Sequence, residues 1–347
     1  IKGRIILSGG RQIELMTQKP EAYGALLQHF TGSKNHNIHL REIAISKGLS
    51  LSEYGIKDKL GRLEEFSTEE SFYKRLGLSY IPPELREDRG EINLAAKHAL
   101  PELIEVSDIK GDLQSHTVWS DGEATLEEIA AAAKKKGYEY LGITDHQLSL
   151  EKKGFKAVKG EIKRRKEQIE HINSSYKNFR VLNGIEILIK ADGDLSYPDE
   201  LLQEFDYVLA AIHTGFNQDK VRVTRRITEA LKNPFVKILA HPTTRLIGRR
   251  EGIDVDWEEV FRVCRDEDKI LEIDAFPERL DLPDILVEEA KKYGIKFAIN
   301  SDAHMTEHLD LIGYGVTVAR RGGLSKNDVI NTLSFDKLKE VLKIKGR

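Results

Sequence analysis

The sequence predicts an α/β fold in which parallel strands alternate with helices over most of the 347 residues. Two observations predict it. Seven β-rich runs recur between positions 111 and 304, and segments of amphipathic helical pattern separate them. Parallel neighbours need a long crossover between them, which is usually a helix. The pattern alone allows either a closed barrel or an open, doubly wound sheet.

The predicted strands all lie in the C-terminal two thirds of the chain. Helices such as Thr125–Lys136 and Asp284–Tyr293 separate them. The strands are 111–116, 140–146, 179–189, 207–213, 236–242, 270–276 and 296–304.

Residues 1–60 are predicted to form a small α+β domain of a different kind. GRIILSGGRQIELMT is typical of a β-hairpin that turns at Ser8-Gly9-Gly10, and short helices are expected at 23–30 and 36–47. An isolated hairpin is marginal in water, and the first residue is not methionine. We therefore expect the hairpin to belong to a sheet whose other strands lie upstream in a longer protein.

Two further domain boundaries follow from composition. Residues 61–105 are polar and helix-prone, with Pro82-Pro83 and Pro101, and we interpret them as a helical extension and linker. Residues 106–347 then form the large α/β domain.

Composition excludes several classes of protein. Hydrophobic residues make up 40% and charged residues 32%, no apolar run approaches the roughly 20 residues of a membrane span, and no signal peptide is visible. Cys264 is the single cysteine, so an intramolecular disulfide is excluded and a cytoplasmic location is expected. The net charge of −3 does not suggest nucleic acid, yet residues 219–250 hold nine Lys or Arg and two acids.

Potential metal ligands recur at the ends of the predicted strands. Six of the seven strands carry a histidine, an acid or both near the C-terminal end. In α/β folds the loops at this edge converge on one mouth, so we expect a single site. The residues are His116, His146, Glu186, His213, His241, Asp302 and His304.

The ligand types indicate the chemistry. Imidazole and carboxylate together suit zinc, manganese or iron and argue against an all-oxygen calcium or magnesium site. With Asp121 the count reaches eight ligands, too many for one ion, so two or three divalent ions are expected. Such clusters hydrolyse phosphoesters. Arg245, Arg249 and Arg250 follow His241 and are candidates for binding the phosphates of DNA.

Residues 111–304 resemble the polymerase and histidinol phosphatase (PHP) domain, which implies a distorted seven-stranded β/α barrel with a trinuclear metal centre. The matching motifs are QSH at 114–116, SDG at 120–122, TDH at 144–146, GIE at 184–186, IH at 212–213, AHP at 240–242 and SDAH at 301–304.

The resemblance implies nine metal-binding positions in three groups. The first ion would lie among Gln114, His116, Glu186 and Asp302; the second would share Glu186 and bind His213 and His241; the third would bind Asp121, His146 and His304. The family usually has histidine at position 114. Because an amide oxygen is a weaker ligand than imidazole for such ions, we expect the first ion to be the most labile and manganese to be tolerated there.

The N-terminal region resembles the thumb of family X DNA polymerases. The matching segments are FTGSKNHNIHLREIA at 30–44 and GLSLSEYGI at 48–56. The resemblance implies that Phe30 and Gly32 line the sugar of an incoming nucleotide, that Asn37 faces its base edge, and that Arg41 approaches the template. Bacterial and archaeal family X polymerases carry a PHP domain after this thumb.

This chain departs from the family at the polymerase site. The DxD strand would lie upstream, and the position of the third aspartate holds Glu14, so the chain as given is expected to lack a complete polymerase site and to be a C-terminal part of a longer polymerase.

The resemblance therefore implies a metal-dependent 3′→5′ exonuclease acting on DNA 3′ ends, gaps or abasic sites, with possible 3′-phosphatase and abasic-site endonuclease activities. Catalysis would centre on Glu186, His116, His213 and Asp302. Two alternatives remain: a small-molecule phosphatase of the histidinol-phosphate type, and a structural PHP domain without activity.

Overall fold

The computed structural model describes residues 2–344. They divide into two compact units that meet in sequence at Pro101 and Glu102. This boundary lies inside the segment 61–105 that the sequence analysis interprets as extension and linker.

The N-terminal unit contains short strands and four helices. The predicted hairpin is confirmed, because its two strands pair antiparallel with Arg4 opposite Glu14. The helices are α1 (Tyr23–Thr31), α2 (Lys34–Ser46), α3 (Glu69–Arg75) and α4 (Glu91–Ala96), and the strands are β1 (Lys2–Ile6), β2 (Gln12–Met16), β3 (Ser50–Ser52), β4 (Gly55–Lys57) and β5 (Leu63–Glu64).

Residues 66–95 are integral to the core of this unit. Phe72 and Leu76 lie one helical turn apart and are buried in the same cluster as Leu40 of α2 and Ile92 of α4. Most of the segment expected as extension and linker therefore packs with α1 and α2. The few apolar residues of this segment recur at helical spacing. Because most of its residues are polar, that spacing is hard to see in the sequence.

The second unit is built on seven parallel strands, as predicted. Each strand pairs with its neighbours in chain order. The strands are β6 (Gly111–Asp112), β7 (Tyr140–Ile143), β8 (Arg180–Leu188), β9 (Tyr207–Ala211), β10 (Val236–Leu239), β11 (Ile270–Asp274) and β12 (Lys296–Asn300).

Hydrogen bonds between the two edge strands bring the sheet close to a closed barrel. A parallel bridge joins Ser115 to Ala303, and the amide of His116 donates to the Ala303 carbonyl at 2.7 Å. Nearer the N-terminal end, the Asn331 side-chain amide donates to the carbonyls of Gly111 at 2.9 Å and Ile299 at 2.8 Å. The second unit is therefore a barrel of the kind expected for a PHP domain.

Helices cover the outside of the barrel. In α5, Thr125 and Glu128 form a reciprocal capping box, and Leu126, Ile129 and Ala133 face the strands. The helices are α5 (Leu126–Lys135), α6 (Leu150–Lys153), α7 (Phe155–Ser174), α8 (Asp199–Leu202), α9 (Lys220–Lys232), α10 (Trp257–Asp266), α11 (Asp284–Lys292), α12 (Ile312–Arg321) and α13 (Phe335–Leu342).

Apolar side chains fill the N-terminal half of the barrel interior. Tyr140 and Tyr207, the first residues of their strands, pack with Leu338 and Leu342 of α13. Because this end is filled, the C-terminal ends of the strands are left for polar side chains. Among residues 2–344, no helix is both long and apolar enough to cross a bilayer.

Candidate metal centre

Glu186 lies at the middle of the C-terminal mouth of the barrel and is 1% exposed. Its Oε1 is 2.7 Å from Nε2 of His213 and 2.9 Å from Nε2 of His241. Its Oε2 is 3.3 Å from Nε2 of His116 and 3.6 Å from Nδ1 of His146. One carboxylate is thus shared by imidazoles from four different strand ends.

A first group of side chains surrounds Oε2 of Glu186. Nε2 of His116 lies 3.1 Å from Oδ1 of Asp302. The Gln114 amide donates to Oε2 of Glu186 at 3.0 Å and to Oδ1 of Asp302 at 3.4 Å. These are the four residues expected at the first ion.

A second group forms around Asp121, at the more exposed side of the mouth. Its Oδ2 is 3.3 Å from Nε2 of His146 and 3.5 Å from Nε2 of His304. The other ring nitrogen of His116, Nδ1, lies 3.6 Å from Oδ1 of Asp121. The rings of His116 and His304 stack with centroids 4.3 Å apart.

The structure therefore brings all nine sequence-predicted metal positions into one cluster around Glu186, Asp302 and Asp121. Three sets have ligand atoms within 4.8 Å of one another: His116, Asp121, His146 and His304; His146, Glu186 and His213; and His116, Glu186 and Asp302. These sets resemble the three expected groups with one difference: His146, and not His241, joins Glu186 and His213, although Nε2 of His241 lies 2.9 Å from Glu186.

The donor atoms fit divalent cations. Several buried polar atoms find no hydrogen-bond partner within residues 2–344, and leaving each one unsatisfied costs about 1–3 kcal/mol. A cation would satisfy the nitrogen lone pairs, which cannot form hydrogen bonds with a carboxylate because both groups are acceptors. The atoms are Oε1 of Gln114, both ring nitrogens of His116, Nε2 of His213 and Nδ1 of His241.

Neighbouring imidazoles keep the carboxylates ionised. Burial alone would raise the pKa of Glu186, but the charge of His213 and the close imidazoles of His116 and His241 hold that pKa well below its usual value. A hydrogen bond from His146 is the largest cause that lowers the pKa of Asp121. Both groups are therefore anionic at neutral pH, the form that binds metal.

Asp145, next to His146, orients the loop that carries Asp121. Its carboxylate accepts hydrogen bonds from the amide of Thr117 at 2.7 Å, from Oγ of Ser120 at 2.9 Å and from Nε of Arg165 at 3.2 Å. The Arg165 guanidinium, buried on α7, thereby connects that helix to the metal centre.

The glycine of the SDG motif permits a close backbone approach. A Cβ added to Gly122 would lie 2.4 Å from the carbonyl oxygen of His116, a distance that real Cβ atoms do not adopt. Glycine therefore lets the turn fold back onto the backbone of His116 and Thr117, after β6, and brings Asp121 beside His116.

Two of the predicted ligands have backbone angles in the left-handed region. φ is +28° at His241 and +50° at Asp302. Each such residue costs on the order of 1–3 kcal/mol and needs support from its surroundings. Glu272 accepts the amide of His241 at 2.6 Å, and Asp112 accepts the amide of Ser301 at 3.0 Å. Buried carboxylates therefore hold both strained segments in place.

Arg279 is a site residue that the sequence analysis missed. Its Nε lies 3.3 Å from Oδ2 of Asp274 and 3.7 Å from Oδ2 of Asp302. The available signal was its position five residues after the end of β11. A pattern of histidines and acids at strand ends does not include an arginine in the loop that follows.

The three arginines predicted to bind phosphate already have partners within the protein. Nε of Arg245 donates to the carbonyl of Arg279 at 2.8 Å. Nε of Arg250 donates to the carbonyl of Thr244 at 3.0 Å, and Arg249 is 3.3 Å from an exposed glutamate. Arg245 thus supports the backbone at 279–280 and Arg250 the backbone at Thr244, and the phosphate-binding role of the three arginines stays a prediction.

The predicted nucleotide-contact residues lie on α1 and α2 of the N-terminal unit. Phe30 is 56% exposed and Arg41 is exposed, so both are accessible. Gly32 follows the last residue of α1. Asn37 is engaged internally: its Nδ2 donates to the carbonyl of His29 at 3.0 Å, and its Oδ1 accepts from Gln28 at 2.8 Å. Their nucleotide contacts stay predictions.

Comparison with known proteins agrees with this two-part architecture. Residues 26–87 match the DNA polymerase beta thumb family, and residues 112–275 match the PHP domain family. The chain is 42% identical over 325 residues to the DNA polymerase/3′-5′ exonuclease PolX of Bacillus subtilis (strain 168). That alignment covers 93% of this chain, and the chain spans 56% of the length of the Bacillus protein.

Two other similar proteins match a smaller part of the chain. A probable phosphatase of Thermoanaerobacter sp. (strain X514) is 29% identical, over 68% of this chain and 95% of that protein. The crystal structure of a histidinol phosphate phosphatase from Lactococcus lactis aligns with a TM-score of 0.44 and 18% identity, over 62% of this chain and 94% of that one.

Proposed function

The chain belongs to the family X DNA polymerases that carry a PHP domain, and on that premise we propose that its barrel hydrolyses phosphodiester bonds at DNA 3′ ends with two or three divalent ions. The reaction is a 3′→5′ exonuclease step. Zinc, manganese and iron are the ions that suit its mixture of imidazole and carboxylate.

The observation that carries this proposal is the position of Glu186. Its two oxygens lie within 3.6 Å of four imidazoles, and it takes part in two of the three candidate ligand sets. A carboxylate shared in this way is suited to bridging two cations, which is the arrangement that phosphoester hydrolysis uses.

The ligands are assigned to three groups. When bound, the ions would lower the pKa of a coordinated water and offset the negative charge of the phosphate. The first group is Gln114, His116, Glu186 and Asp302; the second is Glu186, His213 and His241; the third is Asp121, His146 and His304. His116, Glu186, His213 and Asp302 are the four on which activity depends most.

Arg279 supplies the positive charge that the chain itself brings to this centre. Its guanidinium lies beside Asp274 and Asp302 and is partly exposed, at 20% of its side chain. A guanidinium can donate two parallel hydrogen bonds to phosphate oxygens. We assign Arg279 to orient the scissile phosphate against the ligand groups.

The thumb supports DNA, rather than a small ester, as the substrate. Phe30 and Arg41 are exposed on helices of a unit that matches the DNA polymerase beta thumb family. A small phosphate ester would not need this unit. We therefore assign the substrate to DNA 3′ ends, including those at gaps and abasic sites, and the protein to the cytoplasm.

The test uses purified protein with added Mn²⁺ and a 5′-labelled oligonucleotide, single-stranded or as a 3′-recessed duplex. We expect a ladder of products shortened from the 3′ end, and no ladder from the Glu186→Gln variant. Intact DNA would overturn the proposal. If DNA stays intact but histidinol phosphate is hydrolysed, a small-molecule phosphatase is favoured. If no ester is hydrolysed, a structural role is favoured.

A further inference from the structure

The end of α6 and the first half of α7 carry a second concentration of positive charge, separate from residues 219–250. Between Lys152 and Lys166, eight of the 15 residues are Lys or Arg and one is acidic. Arg165 is buried and bonds to Asp145 of the metal centre, whereas the lysines of this stretch reach solvent. One face of α7 is therefore strongly positive, and its opposite face packs on the barrel.

The positive face contains a groove. It has a volume of about 330 Å³ and an aromatic side chain at one end, Phe155, which is 42% exposed. We call it the α7 groove and define it by its lining residues: Phe155, Lys156, Lys159, Gly160, Lys163 and Glu204.

The charges of the α7 groove are only weakly neutralised. Among residues 2–344, no acidic group lies within 4.0 Å of the Lys156 amine. Lys159 is 4.0 Å from Glu204, and Lys163 is 3.7 Å from Glu167 on the solvent side. Exposed pairs at such distances contribute about 0–1 kcal/mol, so an anion can replace them at little cost.

Gly160 is a second and independent feature of the groove. A glycine inside a helix costs about 0.5–1 kcal/mol relative to alanine. A Cβ added to Gly160 would meet no atom within 4 Å, so nothing in the fold requires a glycine there. Its absence of a side chain leaves the floor of the groove flat between Lys156 and Lys163. A ligand that lies against the helix backbone would account for it.

We propose that the α7 groove binds the single-stranded part of the DNA substrate, with the lysines contacting phosphates and Phe155 stacking on a base. This inference rests on the proposed function and adds a binding surface to it. Aromatic rings combined with lysines are the usual means of holding single strands without sequence preference.

The dimensions of the groove agree with this partner. Lys156 and Lys163 are seven residues apart, which is about 10 Å along a helix. A stacked strand presents a phosphate about every 3.4 Å, so the lysines span about three phosphates. Because Arg165 ties α7 to Asp145, which adjoins His146, a strand held in the groove stays fixed relative to the metal centre.

The experiment compares two groove variants with a matched control. The first is Lys156→Ala/Lys163→Ala, and the second is Gly160→Leu, which fills the floor without removing charge. The control is Lys134→Ala/Lys135→Ala, which removes two exposed lysines from the end of α5. Binding of a fluorescein-labelled dT20 is measured by anisotropy over a range of salt concentrations. Turnover is measured with Mn²⁺ on the same 20-mer and on thymidine 5′-monophosphate p-nitrophenyl ester.

We expect both groove variants to bind dT20 about tenfold more weakly than the wild type. In the double lysine variant, the plot of log K against log salt should also be shallower, with a slope less negative by about 1.4, because two single-strand phosphate contacts are lost. Turnover of the small ester should be unchanged in both, because it occupies the metal centre alone. The control should resemble the wild type in all assays.

Wild-type affinity for dT20 in either groove variant would overturn the inference, as would failure of the wild type to bind dT20. The two proposals fail in different ways. A wild type that binds dT20 through the groove but hydrolyses neither substrate would refute the nuclease and keep the groove. Hydrolysis of both substrates by all variants, with unchanged affinity, would refute the groove and keep the nuclease.

Discussion

Oε1 of Glu186 lies 2.7 Å from Nε2 of His213, across the C-terminal ends of the neighbouring strands β8 and β9. The geometry at Nε2 is not that of a hydrogen bond. The same oxygen is 2.9 Å from Nε2 of His241. One anionic oxygen thus faces two imidazole nitrogens, as expected where a cation is to be bound between them.

Glu186→Gln should therefore remove activity and metal together. The neutral amide has no negative charge to offset the charges of the cations on its two sides, so the rate of oligonucleotide hydrolysis should fall by more than about 100-fold. Metal analysis after dialysis should show the loss of at least one ion per chain. Glu289→Gln, an exposed position on α11, is the control. Full metal content in Glu186→Gln would contradict the bridging role.

Gln114→His should strengthen the first ligand group. Imidazole binds Zn²⁺ better than an amide oxygen does, so the half-time for removal of zinc by a chelator should increase about tenfold. The preference of the first group for manganese should decrease. Metal content is followed during a timed chelator challenge, with Gln168→His on the outer face of α7 as the control. If metal content and preference are unchanged, position 114 is not a ligand.

Arg279→Lys should slow DNA hydrolysis by about 10- to 100-fold despite keeping the charge, because an ammonium cannot donate the two parallel hydrogen bonds of a guanidinium. Rates are measured at saturating Mn²⁺, and metal content is checked in parallel. Arg262→Lys, on the exposed side of α10, should retain full activity. An Arg279→Lys enzyme as fast as the wild type would exclude a phosphate contact.

Gly122→Ala and Gly160→Ala should have opposite effects on stability. An alanine Cβ at 122 would clash with the carbonyl of His116, so we expect a loss of about 1–3 kcal/mol and poorer metal retention. Position 160 is open space in a helix, so alanine should add about 0.5–1 kcal/mol. Urea unfolding of the metal-free variants measures both. Equal effects would contradict the close approach at the SDG turn.

Asp281 should make stability depend on pH. Burial raises its pKa to about 6 from a usual value of 3.8, and its Oδ2 has no hydrogen-bond partner within residues 2–344. The folded state therefore binds a proton more tightly than the unfolded state does. Its contribution is fully present below about pH 4 and is lost as pH rises through 6.

Asp281→Asn removes this titration. The difference in unfolding free energy between the wild type and Asp281→Asn should change by about 2–3 kcal/mol between pH 4 and 7, in the direction that favours the variant at high pH. Asp336→Asn, on the exposed side of α13, should show no such change. A pH-independent difference for Asp281→Asn would mean that its pKa is not raised.

Local patterns predicted the elements of the large unit well. The seven strands were visible because a buried parallel strand is a short run of apolar residues between helical segments. The ligand set was visible because side chains such as His146 and His213 directly follow those runs. Strand direction alone brings such residues to one edge.

Other features depended on contacts between distant parts of the chain. Closure of the sheet involves the bridge from Ser115 to Ala303 and the bonds of Asn331, and no local pattern specifies either. The same holds for Arg279, whose importance comes from its distance to Asp302, and for Arg245, which donates a hydrogen bond to the carbonyl of Arg279, 34 residues further along the chain.

The sequence by itself determined the order of strands and helices, the set of candidate ligands and the end of the barrel at which they lie, because these follow from the pattern of residues and the chain direction. Only the tertiary structure decided that the sheet comes close to a closed barrel and which candidate ligands surround Glu186. It also decided which groups each arginine contacts, and that α7 presents an open groove. These properties are distances between residues remote in sequence, which packing and hydrogen bonding establish only when the whole chain folds.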